Sequence, residues 1–133
     1  MTWGEMTESH KLASVIARTL DDKLGKDITI LNISNVSSLA DYFVIASGDS
    51  TTQVKALMSN TRERIKAIFN RLPIRMENDL KNRWNLLDYG DVVVHILHKD
   101  ERETYAIEKF WNNAFRIPEF DWKEASEEFS EYR

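Results

Sequence analysis

The segment Trp84–His98, WNLLDYGDVVVHILH, decides how the rest of the chain is interpreted. It contains two apolar runs that meet at Tyr89-Gly90-Asp91, where the glycine allows the backbone angles of a tight connection between strands. Apolar residues occur on both faces of each run, because Leu86 and Leu87 are adjacent and three valines are consecutive at 92–94. The pattern predicts a β-hairpin whose strands are central in a sheet or have one face covered by a partner.

The composition of the chain limits its class. Its 133 residues fit one domain that can bury a core without disulfide bonds. Cysteine is absent, which excludes thiolate chemistry and cysteine-based zinc sites and is compatible with a reducing compartment. The N-terminal stretch MTWGEMTESH has neither a basic nor an apolar region, and apolar runs elsewhere are short. We therefore expect no signal peptide and no membrane span.

The formal net charge of −4 is unevenly distributed. Residues 119–133 contain six acidic and two basic side chains, so the last segment carries the whole net charge. Residues 51–84 contain eight basic and three acidic side chains, a local excess that tolerates a phosphate backbone nearby. This excess is far below that of a dedicated nucleic-acid binder, and a solvated helix face is its simplest interpretation.

Hydrophobic periodicity predicts the remaining elements. Helical spacing and its end signals predict two long helices, and continuous or alternating apolar residues predict two strands between them. In chain order these are a helix at about Ser9–Leu24, a strand at Asp27–Ile33, a central strand at Tyr42–Ser47 and a helix at about Thr51–Arg71, capped by Ser50 or Thr51.

The second half adds a short strand at Ile74–Glu77, a polar loop at Asn78–Asn82, the hairpin, and a third helix at about Arg102–Trp111. Tyr105, Ile107, Phe110 and Trp111 are predicted to be packing residues of that helix. We expect Pro118 to close the folded body. The order of elements predicts a single-domain α/β fold with a mixed β-sheet of about five strands covered by helices.

The acidic segment 119–133 permits two interpretations. Trp122, Ala125, Phe129 and Tyr132 lie at helical spacing, which is compatible with a helix that docks on the domain or on a partner. Charged terminal segments are more often mobile, and we therefore expect the tail to be partly disordered.

Catalytic chemistry is weakly supported by the residues of the hairpin. His95 and His98 are three apart on a strand, so their side chains point to opposite faces and cannot bind one metal. Asp91 and His95 share a face, but a histidine that is structural and satisfied by a hydrogen bond is the better interpretation. Asp88 and Asp91 flank the turn, where a carboxylate usually accepts hydrogen bonds from backbone amides.

The aromatic residue at the start of the hairpin is a candidate for binding. Trp84 follows the basic residues Lys81 and Arg83, and a surface tryptophan is often a binding hot spot. Burial in the core is equally compatible with the sequence, because tryptophan is so often partly buried.

Several blocks of the sequence together resemble one known family. They are DYFVIASG at Asp41–Gly48, the helix opening VKAL at Val54–Leu57, WNLLDYGDVVVH at Trp84–His95, and the Tyr105, Glu108 and Trp111 pattern of the third helix. These blocks closely resemble the ribosomal silencing factor (Iojap-like) family. The resemblance covers roughly Ser9 to Pro118, and its longest block is specific because it is long and unusual in composition.

The resemblance implies a non-enzymatic function without a cofactor. Members of this family bind the large ribosomal subunit through its protein number fourteen and sterically block joining of the small subunit, so that translation is repressed when nutrients are short. Their fold is similar to that of nucleotidyltransferases, without the activity. A cytoplasmic location follows, or an organellar matrix if the host is a eukaryote.

Carried over by position, the resemblance implies a partner-binding surface centred on Trp84, Leu86, Leu87, Asp88 and Tyr89. Strand alternation sends these side chains to two faces, so a regular strand cannot present all five to one partner. We expect Trp84, Asp88 and Tyr89 at the hairpin end to face the ribosomal protein. A secondary contact with ribosomal RNA through Lys55, Arg62 and Lys66 is a further hypothesis from the local positive charge.

Two alternatives accompany this interpretation. The first is a nucleotidyltransferase-like enzyme or nucleotide-binding domain with a metal site at Asp88, Asp91 and His95. The second is a ribosomal-RNA binder that uses the predicted helix at about Thr51–Arg71. Family members can also self-associate near the partner face, so the resemblance is compatible with a homodimer. The loop at Glu77–Arg83 lacks the glycine that family members often have there, so its shape does not follow from the resemblance. The acidic tail is not part of the family pattern, and no role is carried over to it.

Overall fold

Six strands form one mixed sheet in the computed structural model, which describes residues 7–132. They are β1 (Lys26–Asn32), β2 (Tyr42–Gly48), β3 (Arg75–Asn78), β4 (Trp84–Asp88), β5 (Val92–His98) and β6 (Phe115–Ile117). Their order across the sheet is β3-β4-β5-β2-β1-β6, and only the β2–β5 pair is parallel. The predicted α/β class is confirmed, and the sheet gains a sixth strand because β6 pairs with the outer edge of β1.

The helices begin and end close to the predicted positions in the first half of the chain. They are α1 (Glu8–Asp22), α2 (Thr51–Phe69), α3 (Lys99–Tyr105), α4 (Ile107–Phe110) and α5 (Glu119–Ala125), followed by a 3₁₀ helix at Glu127–Tyr132. Thr7 caps α1, and Ser50 caps α2 by accepting a hydrogen bond from the Gln53 amide at 3.1 Å. The α2 helix ends before Arg71 because Asn70 adopts a left-handed conformation.

The centre of the sheet is the parallel pair β2–β5. All seven residues of each strand are buried, which explains their continuous apolar sequences. The β4–β5 hairpin predicted from the sequence is present, with Asp88 opposite Val93 and Gly90 in the connecting turn at a φ of 91°. The two central strands, β2 and β5, therefore come from the segments with the longest apolar runs.

The two faces of the sheet are covered unequally. On one face α1, α2 and α5 pack with the inward side chains of the strands to form the larger core, which includes Leu12, Val54, Leu57, Leu87, Val94 and Trp122. The opposite face carries a smaller cluster of Leu31, Ile33, Phe43, Ile45, Val93 and Leu97, to which the α3–α4 segment contributes Ile107. The short α3–α4 segment leaves part of this second face, at β4, accessible to solvent.

The predicted third helix is two short helices instead of one. Ala106 separates α3 from α4 with φ 43° and ψ 55°, a left-handed conformation that is costly for a residue with a Cβ atom. Helical periodicity cannot reveal such a break because alanine favours helix in most contexts. The break turns Tyr105 and Phe110 toward solvent, whereas Ile107 is buried.

The folded body does not close at Pro118, contrary to the expectation from the sequence. The α5 helix contacts α1, and the Trp122 side chain is 2% exposed in the larger core. Arg18 of α1 donates hydrogen bonds to the Lys123 carbonyl and the Ser126 hydroxyl, and Phe129 of the 3₁₀ helix packs on Phe69. Burial of one large aromatic side chain and these contacts offset the entropy of a charged terminus.

Within residues 7–132, no helix combines the length and apolar character needed to cross a membrane.

We predict that Trp122→Ala lowers the free energy of unfolding by about 3–5 kcal/mol, because it leaves a large cavity between α1 and α5. Chemical denaturation of the whole chain measures this loss. The matched control is Phe120→Ala on the same helix, since Phe120 is 72% exposed. We expect the control to change stability by less than about 0.5 kcal/mol. Equal effects of the two substitutions would show that α5 does not dock in solution.

Candidate functional site

Trp84 lies at the start of β4, on the sheet face covered by the α3–α4 segment. It is partly buried, and its ring packs against Tyr105 with the ring centroids 4.9 Å apart. Its indole Nε1–H donates a hydrogen bond to Nδ1 of His95 at 3.3 Å, which fixes the orientation of the ring. Trp84 is thus an aromatic side chain held in place by the fold but still in contact with solvent.

The alternation predicted for β4 is present and divides the five motif residues between the two faces. Trp84, Leu86 and Asp88 are partly exposed, whereas Leu87 is completely buried and Tyr89 is 2% exposed. Burial raises the pKa of the Tyr89 hydroxyl to about 12. Leu87 and Tyr89 were expected from the motif to contact the partner directly. Their side chains pack instead in the larger core, on the side of α2.

His95 supports the tryptophan rather than acting as a ligand or base. The ring is 8% exposed, and burial lowers the pKa of His95 to about 4, against an opposing effect of Asp88. Because an indole N–H can only donate, the Nδ1 atom must be an unprotonated acceptor and Nε2 carries the proton of the neutral ring. Phe43 packs edge-on against this ring with the centroids 4.9 Å apart.

The two carboxylates of the hairpin have separate structural partners. Asp88 accepts a hydrogen bond from the Gly90 amide at 2.8 Å, the turn contact predicted from the sequence, and it lies 3.7 Å from Arg75 on β3. Asp91 forms an ion pair with Arg71 at 2.9 Å, and this contact raises the pKa of the guanidinium. Asp88 and Asp91 therefore hold the turn in place from its two sides.

The alternative metal site at Asp88, Asp91 and His95 is not assembled. Among residues 7–132 no group of three or more histidine, aspartate or glutamate side chains is placed to hold a metal ion. Each member of the expected site instead has its own partner, respectively Gly90, Arg71 and Trp84.

Two concave surfaces meet at Trp84. The first, with a volume of about 400 Å³, is lined by Glu77, Asn78, Asp79, Trp84 and Leu86, so it combines an apolar floor with two carboxylates. The second, of about 340 Å³, is lined only by aromatic and apolar side chains and the neutral His95. We call them the acidic cleft and the aromatic cleft. The aromatic cleft is bounded by Phe43, Trp84, His95, Tyr105, Ile107, Phe110 and Trp111.

The three basic residues expected near RNA lie on a different side of the molecule. Lys55, Arg62 and Lys66 are exposed on α2, and their spacing of seven and four residues aligns them on one stripe of the helix. The α2 helix covers the sheet face that carries Leu87, and Trp84 projects from the opposite face. One flat partner surface cannot contact both regions.

The α3–α4 segment was not predicted from the sequence to belong to the site. Phe110 was expected to be a packing residue, but it is 85% exposed at the aromatic cleft. The density of aromatic residues between 105 and 111 was the available signal, and the break at Ala106 that exposes them was not visible in the sequence.

The depressed pKa of His95 predicts that stability falls as the solution is acidified. Between the unfolded pKa near 6.5 and the folded value of about 4, the unfolded chain binds the proton that the folded chain excludes. We expect wild-type protein to lose about 2 kcal/mol more than His95→Gln between pH 7 and pH 5. His10, whose pKa burial also lowers, contributes in the same direction in both proteins. Denaturation curves at the two pH values measure the difference, and parallel losses would contradict the buried neutral ring.

Comparison with known proteins identifies relatives along almost the whole chain. The family model "Ribosomal silencing factor during starvation" matches residues 6–132. A ribosomal silencing factor RsfS from Bacillus subtilis (strain 168) is 40% identical over 104 residues, which cover 77% of this chain and 86% of the relative. The chloroplastic protein Iojap from Arabidopsis thaliana is 32% identical over 111 residues, covering 83% of this chain and 45% of that protein.

Solved structures support the same relation. A crystal structure of a Chromobacterium violaceum protein superposes with a TM-score of 0.75 at 34% sequence identity, covering 80% of this chain and 88% of that one. The match to the family model includes α5 and the 3₁₀ helix, which the resemblance read from the motifs did not cover. The chain belongs to the ribosomal silencing factor family.

Proposed function

We propose that this protein represses translation by binding the large ribosomal subunit through its protein number fourteen and sterically preventing the small subunit from joining. Membership of the family supports the coarser part of this statement, a regulatory role in translation at the ribosome. A mouse relative, 28% identical over 99 residues, is named for mitochondrial assembly of the large ribosomal subunit, which favours the large subunit as the partner.

The observation that carries the proposal is the half-covered face of the sheet around Trp84. A rigid aromatic side chain beside an apolar neighbour, Leu86, and a carboxylate, Asp88, has the composition of a hot spot. The carboxylates at its border are complementary to a basic ribosomal protein. The contact set that we propose is Trp84, Leu86 and Asp88, with Leu87 and Tyr89 supporting the strand from behind.

Steric exclusion requires no catalytic group, and the family name describes a regulatory factor rather than an enzyme. The relation of the fold to nucleotidyltransferases stays a prediction. We place the protein where ribosomes are, in the cytoplasm or, for a eukaryotic host, in the matrix of an organelle. Bacterial and chloroplastic relatives are compatible with both locations. A homodimer that opens before ribosome binding is proposed on the resemblance alone.

Trp84→Ala is expected to weaken binding to isolated large subunits by about 2 kcal/mol or more, because the substitution removes the aromatic anchor. Its cost in stability should remain below the roughly 3–5 kcal/mol of a fully buried aromatic residue, since Trp84 is only partly buried. Co-sedimentation measures the binding and thermal melting the stability. Phe120→Ala is the exposed aromatic control. Unchanged binding of a folded Trp84→Ala protein would contradict this surface.

The RNA contact is a separate proposal for the basic stripe of α2. If Lys55, Arg62 and Lys66 lie near ribosomal RNA, Arg62→Glu and Lys66→Glu should each weaken subunit binding, and the wild-type affinity should fall with added salt. Glu63→Gln, beside Arg62 on the exposed surface of α2, serves as a control for helix stability. Binding that is unaffected by both charge reversals would exclude the stripe from the interface.

A further inference from the structure

The aromatic cleft lies beside Trp84, next to the surface proposed above. Trp84 forms a wall of both clefts, so the aromatic cleft is continuous with the surface proposed above. Phe43 and Trp111 form its base, with ring centroids 5.2 Å apart in an edge-to-face arrangement. Phe110 and Tyr105 are 85% and 54% exposed, although two large aromatic residues would ordinarily be buried in a soluble domain.

The lining of this cleft limits what can occupy it. Among residues 7–132, no acidic or basic side chain lines the cleft, and His95 is neutral because of its burial. A phosphate backbone would find no cation there, since Arg83 nearby is engaged with Glu101 and Asp100. The volume of about 340 Å³ is at the small end for a ligand pocket and is open on one side. An apolar side chain that projects from a protein surface fits both the size and the polarity.

The acidic cleft on the other side of Trp84 suits a positively charged side chain rather than an apolar one. Its floor is formed by Trp84 and Leu86, and its carboxylates belong to Glu77 and Asp79. Glu77 has an exposed side chain that lies 3.4 Å from the equally exposed Arg75, a weak pair that a partner can replace. The alkyl stem of a lysine or arginine can lie on the apolar floor while its charged group meets the carboxylates.

We infer that the two clefts bind neighbouring side chains of one basic protein partner, an apolar side chain in the aromatic cleft and a lysine or arginine in the acidic cleft. This inference rests on the proposed function and adds the α3–α4 segment, above all Phe110, to the contact surface. The Trp84 ring then lies between the two bound side chains, and its hydrogen bond to His95 holds the ring in this position.

The test measures binding of the whole protein to isolated large subunits for two variants. Phe110→Ala should weaken binding at least tenfold while melting remains as in the wild type, because Phe110 is exposed. Glu77→Gln should slow association several-fold and reduce its dependence on salt. Phe120→Ala and Glu124→Gln on α5 are the matched controls, and both residues are exposed.

The outcomes separate this inference from the proposed function. If Trp84→Ala loses binding and Phe110→Ala binds as the wild type does, the aromatic cleft does not take part in binding. The proposed function of the Trp84 surface would then still stand. Absence of wild-type binding to large subunits overturns both. Binding of naked ribosomal RNA that Phe110→Ala abolishes would assign the cleft to a nucleotide base and overturn the protein partner. Loss of subunit binding in Phe110→Ala without RNA binding supports the inference.

Discussion

The parallel pairing of β2 and β5 is the constraint on which the rest of the structure depends. Both strands are buried along their whole length, so each face of the sheet must be covered. The long helices α1 and α2, with α5, pack on one face and form the larger core. The other face is covered by shorter elements, among them α3 and α4, and its outer part at β4 remains half-exposed. The site is therefore a consequence of unequal coverage rather than a separate addition to the fold.

Local sequence rules predicted the elements whose contacts are mostly local. The hairpin followed from two apolar runs around Gly90, and the start of α2 followed from Ser50. The strand β6 was missed because three residues carry too little periodicity, and only its pairing with β1 makes it a strand. The docking of Trp122 was missed for a related reason, since burial against α1 is a tertiary contact that the charge of the tail obscures.

The candidate site was predictable in part. The motif predicted the strand β4, and alternation correctly separated Trp84, Leu86 and Asp88 from Leu87 and Tyr89. The expectation that Tyr89 faces the partner was wrong because the turn leaves it on the side of α2. The aromatic cleft depends on the left-handed conformation of Ala106, which no sequence rule predicts for alanine. A strained non-glycine residue thus lies at the segment that shapes the binding surface.

We propose that the Trp84 surface occupies a position on the large subunit that the small subunit needs. Light scattering during subunit joining measures this, with purified large subunits preincubated with the protein before small subunits are added. We expect wild-type protein to lower the amplitude of joining in a saturable manner, and the folded Trp84→Ala variant to require far higher concentrations. Normal joining by large subunits that demonstrably carry the wild-type protein would show that the Trp84 surface does not block the small subunit.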